Sequence, residues 1–160
     1  MALQRIAAAA IVTMLSAVPG AHAQDLRGFV STAVATDSNH AKYPAFGGGV
    51  IVDAGQPWVS VGGQGEALVS WPYVAGRGAL FAQGNLAPKY QPIRPFLLAG
   101  YGFGEETGTI LGGGVEVRSR GSRLGLRLAI EDHMQRPRGY NTLRNLPAQH
   151  QVGFRFGILF

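Results

Sequence analysis

The final stretch of the chain, residues 151–160, reads QVGFRFGILF. Every second residue from Val152 to Phe160 is apolar, and the alternate row, which begins at Gln151, also holds Arg155, Leu159 and two glycines. Side chains along a strand alternate between two faces, so the pattern predicts one strongly apolar face and one that is mostly small or polar. An apolar row that runs to the end of the chain is the pattern expected of the closing strand of a membrane barrel.

Seven further segments alternate in the same way and are separated by turn-forming residues. They are predicted at residues 26–36, 43–54, 58–70, 77–87, 96–104, 109–118 and 123–134. Prolines at 88, 92 and 95 are assigned to the connection before the fifth of these strands, because proline cannot donate to a sheet ladder. The sequence therefore predicts an all-β fold, an eight-stranded antiparallel up-and-down transmembrane β-barrel.

The first 23 residues have a different pattern. Arg5 precedes a short apolar run at residues 6–18, Pro19-Gly20 breaks it, and Ala21-His22-Ala23 forms a small-x-small cleavage site. This order predicts a cleaved signal peptide at 1–23 and a β-barrel at 24–160, with the apolar run too short for a spanning helix. Export and a barrel together indicate the cell outer membrane of a Gram-negative bacterium.

Charge and composition exclude several classes of function. The chain has 14 Lys and Arg against nine Asp and Glu, and removal of Arg5 lowers the net charge from five to four. The arginines are dispersed, and the chain is exported, so nucleic acid is not an expected partner. There is no cysteine and no HExxH, Walker or dinucleotide-binding motif, so we expect neither a metal nor a cofactor.

In such a barrel, both chain ends lie on the periplasmic side. That topology places the connections near residues 37–42, 71–76, 105–108 and 135–148 outside the cell. The turns near 55–57, 88–94 and 119–122 then face the periplasm.

Charged side chains recur on the polar faces of the strands. An eight-stranded barrel is just wide enough for side chains to fill it, and buried charges must pair. A salt-bridged plug is therefore the preferred interpretation, although the many inward glycines leave a conducting pore open as the alternative. The predicted members of this network are Glu66, Arg77, Glu116, Arg118, Arg127, Glu131 and Arg155.

A family resemblance rests on the alternating segments and on residues 95–102 (PFLLAGYG), 113–118 (GGVEVR), 125–127 (GLR) and Phe160. In these features the chain resembles the small outer-membrane β-barrel proteins, the group of the OmpA membrane domain, OmpX and the opacity proteins. The resemblance implies that the terminal aromatic Phe160 belongs to the signal read by the barrel-assembly machinery.

The resemblance also raises catalysis, since some small outer-membrane barrels modify lipid A, and the acyl hydrolases among them use a His-x-Ser pair. Here the corresponding residues are His133-Met134-Gln135, without a serine. His133 is expected to point inward beside Glu131, but no nucleophile is evident near it. We therefore expect no enzymatic activity.

The predicted function is that of an integral, monomeric outer-membrane barrel with a structural or surface-interaction role. Arginines in the longest outer loop are candidates for contact with lipopolysaccharide phosphates, because guanidinium groups bind phosphate in a forked geometry: Arg136, Arg138 and Arg144. The alternatives are a narrow pore for small solutes, a lipid-modifying enzyme, and a soluble secreted barrel that binds an apolar ligand.

Overall fold

The computed structural model describes residues 26–37, 42–70, 72–88, 90–104, 107–119, 121–122, 124–136 and 149–160. The predicted signal peptide, Arg138 and Arg144 lie outside these ranges, and the side chain of Arg136 is not described. The strands are β1 (Leu26–Asp37), β2 (Lys42–Gln56), β3 (Val59–Ser70), β4 (Tyr73–Asn85), β5 (Ile93–Gly104), β6 (Thr107–Arg118), β7 (Gly125–Arg136) and β8 (Gln149–Leu159).

Each strand pairs antiparallel with the next, and β8 pairs with β1 to close the barrel. The closure extends one residue past β8, because the backbones of Gly28 and Phe160 exchange two hydrogen bonds of 3.0 Å. The predicted eight-stranded antiparallel up-and-down barrel is thus confirmed. Among the described residues, no helix is long and apolar enough to cross a membrane.

The up-and-down order divides the connections between two ends of the barrel. The end that holds both Leu26 and Phe160 also holds the connections at 57–58, 86–92 and 119–124, and we call it the terminal end. The opposite end holds those at 38–41, 71–72, 105–106 and 137–148, and we call it the loop end. This grouping agrees with the one expected from the sequence.

Two strands begin three or more residues earlier than predicted. β4 begins at Tyr73 rather than at residue 77, because its first residues continue the ladder with β3 as far as the pair Ser70–Tyr73. β5 begins at Ile93 and contains Pro95, which the sequence had assigned to a connection. In an antiparallel sheet, the backbone nitrogen and carbonyl of one residue point to the same neighbouring strand, which for Pro95 is β4. Regular pairing of β4 with β5 stops at the pair Asn85–Phe96, so the missing N–H of Pro95 interrupts no ladder hydrogen bond.

The two faces of the strands separate as the alternation predicts. Large apolar side chains point outward and remain exposed, from Val30 and Val34 on β1 to Phe154 and Phe156 on β8. Inward positions hold most of the buried polar and charged residues.

The interior also holds a central apolar layer that the sequence reasoning missed. Inward side chains from five strands are almost fully buried there: Phe29, Ile51, Phe81, Phe96, Leu98 and Leu159. Inward glycines make room for two of the rings. A Cβ at Gly49 would lie 2.8 Å from Phe29, and one at Gly62 would lie 2.6 Å from Phe81. The space beside these two glycines is therefore occupied by neighbouring rings and is not open.

Candidate functional site

The structure places all seven predicted charged residues on the inward faces, in two polar clusters on either side of the apolar layer. The loop-end cluster consists of Ser31, Gln64, Glu66, Arg77, Glu131, His133, Gln151 and Arg155. The terminal-end cluster consists of Arg27, Asp53, Ser60, Gln83, Asn85, Arg94, Glu116, Arg118 and Arg127.

Arg155 is the centre of the loop-end cluster. Its Nε and Nη2 donate to the two carboxylate oxygens of Glu131, each at 3.2 Å, which is a bidentate pairing. Nη2 also donates to Glu66 at 2.5 Å, and Nη1 donates to the hydroxyl of Ser31 at 2.9 Å. All three guanidinium nitrogens of Arg155 therefore have partners, as a buried charge requires.

The remaining members complete the loop-end cluster. Arg77 donates to Glu66, its direct partner across β3 and β4, and to the side chain of Gln151. Gln64 donates to Glu131 at 3.0 Å. Nε2 of His133 lies 3.3 Å from the same carboxylate.

In the terminal-end cluster, Arg27 bridges two carboxylates from opposite sides of the barrel. It donates to Asp53 at 2.6 Å and to Glu116, and β1 is not adjacent to the β6 strand that carries Glu116. The hydroxyl of Ser60 donates to Asp53 at 2.6 Å and accepts from Asn85 at 2.9 Å. These contacts tie five strands together across the lumen.

Arg127 is fully buried at the boundary between this cluster and the apolar layer. Its Nη1 donates to Glu116 at 2.6 Å and to Gln83 at 2.8 Å. Its guanidinium carbon lies 4.0 Å from the centre of the Phe96 ring and 5.5 Å from that of Phe29. Nε and Nη2 of Arg127 have no hydrogen-bond partner among the described residues. The faces of the two aromatic rings attract the guanidinium cation and so compensate in part for the missing hydrogen bonds.

Arg94 and Arg118 are held less tightly. Arg94 lies 3.6 Å from Asp53 and 4.0 Å from Glu116, and among the described residues it donates one close hydrogen bond, to the carbonyl of Pro57 at 3.0 Å. Within the described residues, Nε of Arg94 and both Nε and Nη2 of Arg118 are buried without a hydrogen-bond partner.

The two clusters therefore differ in charge balance. The loop-end cluster pairs two arginines with two glutamates. The terminal-end cluster sets Arg27, Arg94, Arg118 and Arg127 against only Asp53 and Glu116, a surplus of two positive charges among the described residues.

The sequence reasoning missed several members of the clusters. The period-two rule would have placed each of them on the inward face, but they lie at strand ends or are uncharged and were not counted. They are Arg27, Ser31, Asp53, Ser60, Gln64, Gln83, Asn85, Arg94 and Gln151.

His150 and Phe160 lie outside the two clusters. His150 is exposed, with Nδ1 2.9 Å from Asp132. The ring of Phe160 is exposed on the outer face and covers Gly28. Within the described ranges, no group of three or more His, Cys, Asp or Glu side chains is placed to hold a metal ion.

Comparison with known proteins defines the fold but no closer relationship. No protein-family model matches the sequence, and no curated protein matches it. Among solved structures, the N-terminal β-barrel domain of Pseudomonas aeruginosa OprF matches with a TM-score of 0.54 and 12% identity, over 84% of this chain and 97% of that one. Neisserial surface protein A, NspA, matches with a TM-score of 0.56 and 12% identity, over 84% of this chain and 94% of that one.

This chain thus has the fold of the small outer-membrane β-barrels. The resemblance predicted from the alternating segments is confirmed at the level of fold. At 12% identity the likeness carries no further function from either protein to this one.

Proposed function

We propose that this chain is an integral protein of the bacterial outer membrane, with a structural or surface-interaction role and a lumen closed by side chains. The observation that carries the proposal is the arrangement of the two faces, with buried ion pairs inside and a band of large exposed apolar side chains outside. Soluble proteins rarely expose so continuous an apolar surface, whereas lipid requires one.

The dimensions support insertion in a bilayer. A strand of 12 residues, such as β1, extends about 40 Å at about 3.4 Å per residue. At the tilt of about 40° that is usual for such barrels, it rises roughly 30 Å, which matches the hydrocarbon thickness of a membrane. Exposed aromatic side chains lie near both ends, with Trp58 and Tyr90 at the terminal end and Tyr101 nearer the loop end.

Side-chain filling of the lumen supports a closed barrel over a narrow pore. Two polar clusters and the apolar layer between them leave the described interior residues mostly buried. In planar bilayers we expect no conductance above background, and a reproducible single-channel current would instead favour the small-solute pore.

The proposal includes the partners and the lack of catalysis expected from the sequence. The exposed band contacts outer-membrane lipid, Arg136, Arg138 and Arg144 contact lipopolysaccharide phosphates, and the barrel acts as a monomer without enzymatic activity. The His133–Glu131 pair is buried at the loop end, and the described residues place no serine hydroxyl in hydrogen bond with it. Unchanged lipid A mass profiles in cells with and without the gene are the expected result, and a change in acylation would favour the lipid-modifying enzyme.

Localisation is the decisive test of the proposed class. We expect the mature chain, cleaved after Ala23, in the outer-membrane fraction, with a shift in gel mobility between unheated and boiled samples. Recovery of the folded protein from the soluble periplasm would overturn the membrane assignment and favour the ligand-binding soluble barrel.

Assembly can be tested at Phe160. Its backbone completes the last pair between β8 and β1, and its ring covers Gly28 on the outer face. Deletion of Phe160 is therefore expected to reduce the outer-membrane yield, whereas Phe160→Tyr, which keeps an aromatic terminus, preserves it. A normal yield of the deletion variant would count against a role for Phe160 in assembly.

A further inference from the structure

We propose that the terminal-end cluster binds a phosphate-type oxyanion, held between the guanidinium groups of Arg94 and Arg118. The inference rests on the contacts of these two arginines, and it holds whatever the role of the loops at the other end. Three observations lead to it: a charge surplus, unpartnered donors and a suitable spacing.

The charge surplus is confined to one end. In the described part of the barrel, the four arginines of the terminal-end cluster face two carboxylates, whereas the loop-end cluster is balanced. The charges of Arg27, Arg94 and Arg118 repel one another. The surplus of two positive charges matches a phosphate group, which carries between about −1.5 and −2 at pH 7.

The unpartnered donors are confined to the same end. Six buried guanidinium nitrogens lack a hydrogen-bond partner among the described residues, and all of them belong to Arg27, Arg94, Arg118 and Arg127. Arg127 is compensated by the rings of Phe96 and Phe29, so the unsatisfied N–H groups that remain belong chiefly to the other three. Buried charged donors are costly to leave unpaired, and an oxyanion accepts from several at once.

The spacing suits one oxyanion. Arg94 lies directly opposite Glu116 in the register of β5 and β6, and Arg118 is two residues further along β6 on the same inward face. Such diagonal neighbours have Cα atoms about 7–8 Å apart, which lets two long side chains converge on one group. Arg94 is only 4% exposed, and Arg118 is half-buried at the terminal end, so the pair lies just inside the opening.

The sequence of two connections at the terminal end is basic. The connections at 86–92 and 119–124 contain Lys89, Arg120 and Arg123 and no acidic residue. Positive potential at an opening concentrates anions there.

The experiment is a titration of the full-length mature chain in detergent micelles, followed through the Nε–H resonances of its arginines by NMR. Inorganic phosphate is added at constant ionic strength, with chloride as the balancing anion. We expect saturable shifts for Arg94 and Arg118 and none for Arg155, whose three guanidinium nitrogens all have partners. Shifts that rise without saturation, or that are equal for all arginines, would overturn the proposal.

Two variants separate charge from geometry. Arg118→Gln is expected to weaken phosphate binding roughly tenfold, equivalent to about 1.4 kcal/mol. Arg118→Lys keeps the positive charge but lacks the planar guanidinium that binds phosphate in a forked geometry, and it is expected to give a smaller loss of phosphate affinity. An unchanged dissociation constant in Arg118→Gln contradicts the proposal, and if that variant does not fold, the comparison of Arg118 with Arg155 in the unmodified protein decides.

A second arm identifies the source of the phosphate group. Short-chain phosphatidic acid, added to the micelles, presents the same group on a lipid. Stronger shifts with inorganic phosphate indicate a ligand from the aqueous phase, stronger shifts with the lipid indicate a headgroup at the rim, and no saturable response to either overturns the site.

Discussion

The two ends of the lumen contain the same kinds of side chain in different proportions. At the loop end, Arg155 and Arg77 share Glu66, and Arg155 grips Glu131 on both oxygens. At the terminal end, Arg27 and Arg127 occupy the oxygens of Glu116, which leaves Arg94 with contacts of 3.6 Å or more to the carboxylates. The loop-end cluster has equal numbers of arginines and glutamates, whereas the terminal-end cluster has guanidinium N–H groups without acceptors among the described residues.

The difference in charge balance matters because burial alone does not make an ion-pair network stabilising. A buried charge needs enough partners of the opposite sign, and removal of one partner leaves an uncompensated charge. In the balanced loop-end cluster, removal of either an arginine or a glutamate should therefore lower the free energy of unfolding. In the surplus cluster, loss of a carboxylate should be costly and loss of Arg118 should not.

The largest expected effect is at Glu116, which accepts from Arg27, Arg127 and Gln83. Glu116→Gln raises the surplus at the terminal end and should lower the free energy of unfolding by about 3–5 kcal/mol. Urea unfolding in lipid vesicles, followed by tryptophan fluorescence, measures it. Arg118→Gln is the matched control and should lie within about 1 kcal/mol of the unmodified protein. Equal losses of stability in the two variants would contradict the expected difference between removal of a carboxylate and removal of an arginine at the terminal end.

At the balanced end, Arg155→Leu leaves Glu131 without a guanidinium partner, while Arg77 still pairs with Glu66. We expect a loss of about 3 kcal/mol, with the proposed outer-membrane location unchanged. The same unfolding assay tests it, and Glu131→Gln should cost a comparable amount. A neutral result for either variant would show that the loop-end cluster is less closely paired than its geometry indicates.

The apolar layer between the clusters can be tested at Gly62. A Cβ there would lie 2.6 Å from the ring of Phe81 and 2.6 Å from the carbonyl oxygen of Val50. Gly62→Ala should cost about 1–3 kcal/mol through overpacking. Gly65→Ala on the same strand is the control, because a Cβ at Gly65 meets no atom within 4 Å. A loss at Gly65 as large as at Gly62 would mean that strand propensity, and not the buried ring, sets the cost.

The smallest expected effect is the response to salt. Repulsion among the surplus arginines is screened as salt rises from about 0.05 M to about 0.5 M, and we expect a gain in stability of up to about 1 kcal/mol. The gain should be smaller in Arg118→Gln, which removes one of the repelling charges. An identical salt response in both proteins would indicate that Arg118 is already neutralised.

Much of the fold could be predicted from the sequence, because strand alternation is a local property. The row from Val152 to Phe160 identified both faces of β8 without knowledge of any neighbour. The boundaries were harder to predict, since β4 begins at Tyr73 only because a paired β3 extends to Ser70. Local propensity does not record how far a partner strand continues.

The candidate site could be predicted in part. The pairs Glu66–Arg77 and Glu116–Arg127 face each other across hairpins, so their contacts follow from strand register. Arg94 was missed because residues 88–94 were assigned to a connection, whereas it lies on β5. Asp53 lay within the predicted second strand but was not counted in the charge network.

The sequence by itself determined the number of strands and the face on which each side chain lies, because both follow from a period of two residues. The tertiary structure decided which charges meet. Arg27 reaches Glu116 and Arg155 reaches Glu66 across the lumen, from strands that are not neighbours and are 89 residues apart in each case. Only closure of the barrel brings those side chains together, and with them comes the difference between a balanced end and an end with positive charge to spare.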